Sequence, residues 1–150
     1  MKRVHIHVGV NDMQESLQFY SALFNVDPHV CRDDYAKWML DDPQLNFVIS
    51  QGHAKLGIEH VGIESENDDE FQQMRERMLS ADNIATVEEN ETHCCYARSN
   101  KTWTSDPQKV VWESFHSYGA ADSYYGERPA FSIPEQITRA ESTSPTCCGR

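Results

Sequence analysis

The chain has 150 residues, 39% hydrophobic and 25% charged, the balance of one compact globular unit or two small modules sharing a core. No apolar run approaches the ~18 residues a membrane span needs, so no membrane partner is expected. A net charge of −11, from 13 basic and 24 acidic side chains, repels phosphate backbones and excludes nucleic acid in favour of a small molecule.

Met1-Lys2-Arg3-Val4-His5 runs straight into strand-like alternation without the apolar core of a signal peptide, so a cytoplasmic location is expected. Over residues 3–10, Val4, Ile6, Val8 and Val10 take the core face and His5 and His7 the other, which predicts a half-buried strand. A helix follows. Asp12 is its N-cap, Glu15 completes a capping-box pattern, and Met13, Leu17, Tyr20, Leu23 and Phe24 form its apolar stripe. Residues 35–40 and 45–50 read as strands joined by the turn Asp41-Asp42-Pro43-Gln44.

After a glycine-bearing link the order repeats. Ile58–Glu64 is a strand carrying His60, Asn67 and Glu70 repeat the capping pattern, and Phe71, Met74 and Met78 stripe a second helix. Short strands are predicted near 84–88, 96–104 and 110–116, with a turn at Ser105-Asp106-Pro107-Gln108. Beyond Gly119 alternation fades, and residues 119–150 read as an irregular tail ending in Cys147-Cys148. An internal duplication is therefore expected, with modules at 1–52 and 57–118.

The duplication puts chemistry in matching places. His5 and His60 each stand on the non-core face of a module's first strand, and Glu113 lies in the last strand at a nearly equal spacing. If the modules share one curved sheet, these groups converge as a 2-His-1-carboxylate set, which suits ferrous iron and leaves coordination positions open. The string His7-Val8-Gly9 matches His60-Val61-Gly62, whereas helix register pairs His5 with His60, each seven residues before its N-cap. Register favours His5 and leaves His7 beside the ion or as a substitute. His29 and His53 are expected to be exposed.

Five cysteines without a secretion signal argue against a disulfide framework. Cys94 and Cys95 are vicinal, and neighbouring Cα atoms ~3.8 Å apart fall short of the ~4.4 Å at which disulfides begin. Such a pair stays a dithiol and suits a soft ion such as trivalent arsenic. It sits in a polar loop entering a strand. His93 adjoins it and can tune it, and Cys147-Cys148 offers a further capture point.

The duplicated pattern, with ligands opening each module and in the last strand, resembles the vicinal oxygen chelate superfamily of glyoxalases and type I extradiol dioxygenases. The stretch Thr86-Val87-Glu88-Glu89-Asn90-Glu91-Thr92-His93-Cys94-Cys95-Tyr96-Ala97, then Lys101-Thr102-Trp103 and Trp112-Glu113, resembles the organoarsenical carbon–arsenic lyases, also known as cadmium-induced proteins. The resemblance covers residues 3–118. It implies an α+β fold of two βαβββ modules in a curved mixed sheet. It also implies an Fe(II)- and O2-dependent lyase that releases arsenite from trivalent organoarsenicals, with His5, His60 and Glu113 on iron and Cys94 and Cys95 on arsenic. In that family a glutamine can replace the first histidine.

A glyoxalase-type isomerase needs a fourth ligand from residues 45–50, where no carboxylate or imidazole occurs. A catechol extradiol dioxygenase has no use for vicinal thiols. The serious rival is a non-enzymatic cadmium or arsenite scavenger. Homodimer formation by exchange of modules is left open.

Overall fold

The structure is a computed structural model that describes residues 1–52, 55–81 and 86–121, the side chains of His93 and Cys94 excepted. Its elements are β1 (Arg3–Val10), α1 (Met13–Phe24), β2 (Val30–Cys31), β3 (Tyr35–Asp41), β4 (Gln44–Gln51), β5 (Gly57–Glu64), α2 (Asp68–Ser80), β6 (Val87–Cys94), β7 (Ala97–Ser105) and β8 (Val111–Ala120). His53, Cys147 and Cys148 lie outside the described residues. No described helix is long and apolar enough to cross a membrane.

Both helices begin where the caps predict. Asp12 accepts from the Glu15 amide and Asn67 from the Glu70 amide, each at 2.9 Å, satisfying a donor the helix leaves open. Met13, Leu17, Tyr20 and Phe24 of α1 pack with Trp38, Phe47 and Ile49 on one face of the sheet. Leu23 departs from its expected place: it is 61% exposed, because the face toward the sheet is carried by Met13, Leu17, Tyr20 and Phe24, and Leu23 is turned about 100° from its neighbour Phe24.

The strands form one mixed sheet in the order β2-β3-β4-β1-β5-β8-β7-β6. Its centre is the antiparallel pair β1·β5, flanked by the parallel pairs β1·β4 and β5·β8. The two halves are thus arranged alike about the β1–β5 seam. Residues of β1, β3, β4, β5, β7 and β8 line a single cavity, so the sheet curls around it.

That curl corrects one expectation. The histidine face of β1 was assigned away from the core, yet His5 and His7 are buried while Val4 on the other face is 49% exposed. The inside of the curl is the drier side.

Two strands run further than alternation implies. β6 extends to Cys94 through a stretch read as loop, pairing with β7 from Val87↔Trp103 to Cys94↔Ala97. β8 includes Gly119 and Ala120, held by Arg98 and Ala97 of β7. Cross-strand pairing outweighs weak local propensity at both ends.

Candidate metal centre

The cavity floor is built at the seam. In β1 and β5, His5 stands opposite Gly62 and His7 opposite His60, and in β5 and β8, Gly62 stands opposite Glu113. His5 and Glu113 therefore flank a residue with no side chain. Their Nε2 and Oε2 atoms approach to 3.6 Å; His60 Nε2 lies 3.2 Å from His5 Nε2 and 3.4 Å from Glu113 Oε2. A triangle with those sides has its centre about 2 Å from each corner, the length of a metal–nitrogen or metal–oxygen bond. Two imidazoles and a carboxylate so placed fit a divalent transition-metal ion and leave the cavity side open.

Gly62 is a packing requirement. A Cβ there would stand 2.2 Å from the Glu113 carbonyl oxygen, which belongs to backbone and cannot swing aside. Gly62→Ala is expected to push β5 and β8 apart, lowering stability by at least about 1–3 kcal/mol and separating His5 from Glu113. Denaturant unfolding beside metal titration checks both effects.

Each floor group is held from behind. His5 Nδ1 donates to the Asn46 carbonyl at 3.1 Å, which leaves Nε2 with its lone pair toward the centre. Lys101 Nζ donates to Glu113 Oε1 at 2.5 Å and lies over the Trp103 and Phe115 rings, so Oε2 is the oxygen facing the histidines. His7 Nε2 is 2.8 Å from Ser50 Oγ.

The charges follow from these contacts. Burial pulls His5 down to about 3 and His7 well below its usual value, so both rings are neutral. Burial acts on His60 in the same direction, but the Glu113 and Glu59 carboxylates outweigh it and lift the ring to about 9. Burial would raise Glu113, yet Lys101 and His60 hold it well below the carboxylate range. In the metal-free protein, a charged His60 therefore faces a neutral His5 and an ionised Glu113.

The cavity is narrow, with room for about 30 Å³ of water, and Tyr35, Val48, Phe115 and Cys95 contribute to its walls. Cys95 and Tyr96 form the two-residue turn of the β6–β7 hairpin. Both adopt left-handed φ, 57° and 60°, as a tight hairpin turn demands, although neither is glycine or asparagine. The turn closes onto the other half of the sheet. Tyr96 donates to Asp34 at 2.9 Å, and Cys95 and Tyr96 pack against Tyr35 and Val48. Cys95 thereby lines the same cavity as His5, His60 and Glu113. Cys94 is placed by its backbone at the end of β6, and His93 by its pairing opposite Arg98. His29 is exposed, as expected.

His5, His7 and His60 also have ring nitrogens within 4.8 Å of one another. The facing atoms of His5, His60 and Glu113 lie closer together, within 3.6 Å. Val48 occupies the place in β4 that Glu113 holds in β8, since His7↔Val48 matches Gly62↔Glu113 when His5 is aligned with His60. The first half thus offers no carboxylate at that place as a fourth ligand.

Sequence reasoning missed two charged groups. Strict alternation puts Glu59 on the face opposite His60, but Glu59 is the extra residue of a bulge, which defeats that rule. Lys101 could have been found, because the same alternation sets Ser99, Lys101 and Trp103 on one side of β7.

The model of the Glyoxalase/Bleomycin resistance protein/Dioxygenase superfamily matches residues 2–114. A trivalent organoarsenical cleaving enzyme of Bacillus sp. (strain MD1) is 32% identical over 97% of this chain and 92% of its own length. One from Thermomonospora curvata is 35% identical over 82% of each chain. Among solved structures, a glyoxalase/bleomycin resistance protein/dioxygenase superfamily member from Vibrio splendidus 12B01 aligns with a TM-score of 0.52 at 15% identity, over 77% of this chain and 99% of that one.

Proposed function

Since the chain belongs to the glyoxalase/bleomycin resistance protein/dioxygenase superfamily, in the branch of the trivalent organoarsenical cleaving enzymes, we propose that it is an Fe(II)- and O2-dependent lyase. It breaks the carbon–arsenic bond of trivalent organoarsenicals, methylarsonous acid and trivalent aromatic arsenicals among them, and releases arsenite. The observation that carries this reading is the meeting, in one cavity, of a two-imidazole, one-carboxylate floor and a cysteine, Cys95, in its wall.

A ferrous ion on His5, His60 and Glu113 would supply the redox chemistry with dioxygen. The remaining work falls to the chain itself. Cys94 and Cys95 exchange two hydroxyls of methylarsonous acid for two sulfurs, releasing two waters and leaving the methyl group on arsenic. The hairpin turn then fixes the direction in which that carbon points, and such orientation removes much of a bimolecular barrier. The thiolate is the attacking form of each cysteine, so capture of arsenic slows as pH falls, while the exchange itself, thiol and hydroxyl for thioarsenical and water, releases no net proton. Lys101 keeps Glu113 ionised and aimed.

The floor makes a further pH prediction. Metal binding needs the Nε2 lone pair of His60, whose pKa in the metal-free protein is about 9. Below that value binding displaces a proton. Apparent metal affinity should therefore rise by about tenfold per pH unit up to roughly pH 9 and level off above it. Competition titration with Co(II) at stepped pH reads this, and an affinity flat across that range would contradict it.

The activity is tested with reduced protein loaded anaerobically with ferrous iron and methylarsonous acid. Arsenic should stay bound intact until air is admitted, and arsenite should then appear. Organoarsenical retained unchanged in air would identify a thiol scavenger. Cleavage of catechols without arsenite release would identify an extradiol dioxygenase.

A further inference from the structure

Glu59 stands behind the floor, touching two histidines at once. The β1–β5 register passes from His7↔His60 to Val8↔Ile58, leaving Glu59 as the extra residue of a bulge. A bulge re-aims a side chain that alternation would send to the other face. Its Oε2 lies 3.3 Å from His60 Nδ1 and 3.5 Å from His7 Nδ1, and only 11% of the side chain is exposed. Both Nδ1 atoms are buried, and apart from this contact with Glu59 neither has a hydrogen-bond partner among the described residues. The two rings meet edge to face, their centroids 4.9 Å apart, so one carboxylate reaches both.

We propose that Glu59 is a positioning residue that sorts the histidines, holding His60 and His7 by their Nδ1 edges so that His60 presents Nε2 to the ion and His7 is kept out of the ligand set. The inference rests on the metal reading of His5, His60 and Glu113. A carboxylate beside the Nδ1–H fixes the tautomer and the ring plane and strengthens the opposite nitrogen as a donor. His7 is then committed on both sides, to Glu59 through Nδ1 and to Ser50 through Nε2. Three histidines share the cavity floor, and Glu59 decides which two bind.

The test uses the full chain with Co(II) as the probe, reading its dissociation constant and visible spectrum. Glu59→Ala is expected to weaken Co(II) binding by about 10–100-fold and to alter the absorption bands, as His60 loses its fixed plane and His7 becomes available. Glu59→Asp keeps a carboxylate and should recover much of the affinity. Glu59→Gln, isosteric and neutral, should weaken binding in the same direction, so a poorly folded alanine variant does not remove the test. Wild-type affinity with an unchanged spectrum in Glu59→Ala or Glu59→Gln overturns the proposal. His60→Ala is the control on the reading beneath it: if that variant binds Co(II) like wild type, the metal floor fails and Glu59 falls with it.

Discussion

Glu113→Ala is expected to abolish iron retention and cut arsenite release by more than a hundredfold, while arsenic capture by the thiols stays near its wild-type value. The magnitude is a lower bound. Loss of a group that merely supports a metal ligand costs about 10–100-fold, and Glu113 is read as a ligand itself. The variant also takes from the buried Lys101 the carboxylate that its ammonium bonds at 2.5 Å. Breaking a buried pair from one side costs about 3–5 kcal/mol, so unfolding must be measured beside activity. Glu113→Gln leaves Lys101 an oxygen to bond while withdrawing the charge the ion needs. It should lose iron with less damage to stability. Normal turnover in either variant would show that iron does not sit there.

Cys95→Ser should give the opposite pattern, with arsenical affinity lost and iron binding kept. Serine fits the same left-handed turn that cysteine occupies, φ 57°, and preserves the packing of its neighbour Tyr96 on Asp34 and Tyr35. What disappears is one of two sulfurs. Turning a two-point chelate into a one-point contact removes the gain from effective concentration, on the order of 10²–10⁴ in affinity. Titration with a monosubstituted trivalent arsenical measures it, and Co(II) titration of the same preparation shows that the floor is intact. Equal loss of both ligands would mean that the turn holds the fold together and that the thiol is incidental. The two substitutions thus separate the halves of the site.

Much of the site was legible because it lies where periodicity is strict. His5, His60 and Glu113 occupy strands at the seam, the helix caps Asp12 and Asn67 fix the register between the repeats, and the structure brings all three side chains within 3.6 Å. The less legible parts are those where periodicity breaks. Glu59 faces the histidines only because a bulge inserts one residue into β5. The run Glu88-Glu89-Asn90-Glu91 reads as loop from composition, yet it is strand. β6 is one of the two edge strands of the described sheet, where charged side chains are tolerated and discourage pairing with other chains. Two of those acids also have partners that no local window reveals: Glu88 pairs with Arg75 at 2.7 Å, and Glu89 accepts from the Trp103 indole at 3.1 Å. The burial of the histidine face was misjudged for a similar reason. Alternation states which residues share a face and says nothing of which way a sheet curls.

The central claim is spatial, and anomalous scattering at the iron and arsenic edges tests it most directly, on crystals grown anaerobically with Fe(II) and a trivalent organoarsenical. One iron peak is expected among His5 Nε2, His60 Nε2 and Glu113 Oε2, and one arsenic peak on Cys94 and Cys95 within the same cavity. Iron held by His5, His7 and His60 with Glu113 outside the coordination sphere, or arsenic bound away from the cavity, would contradict it.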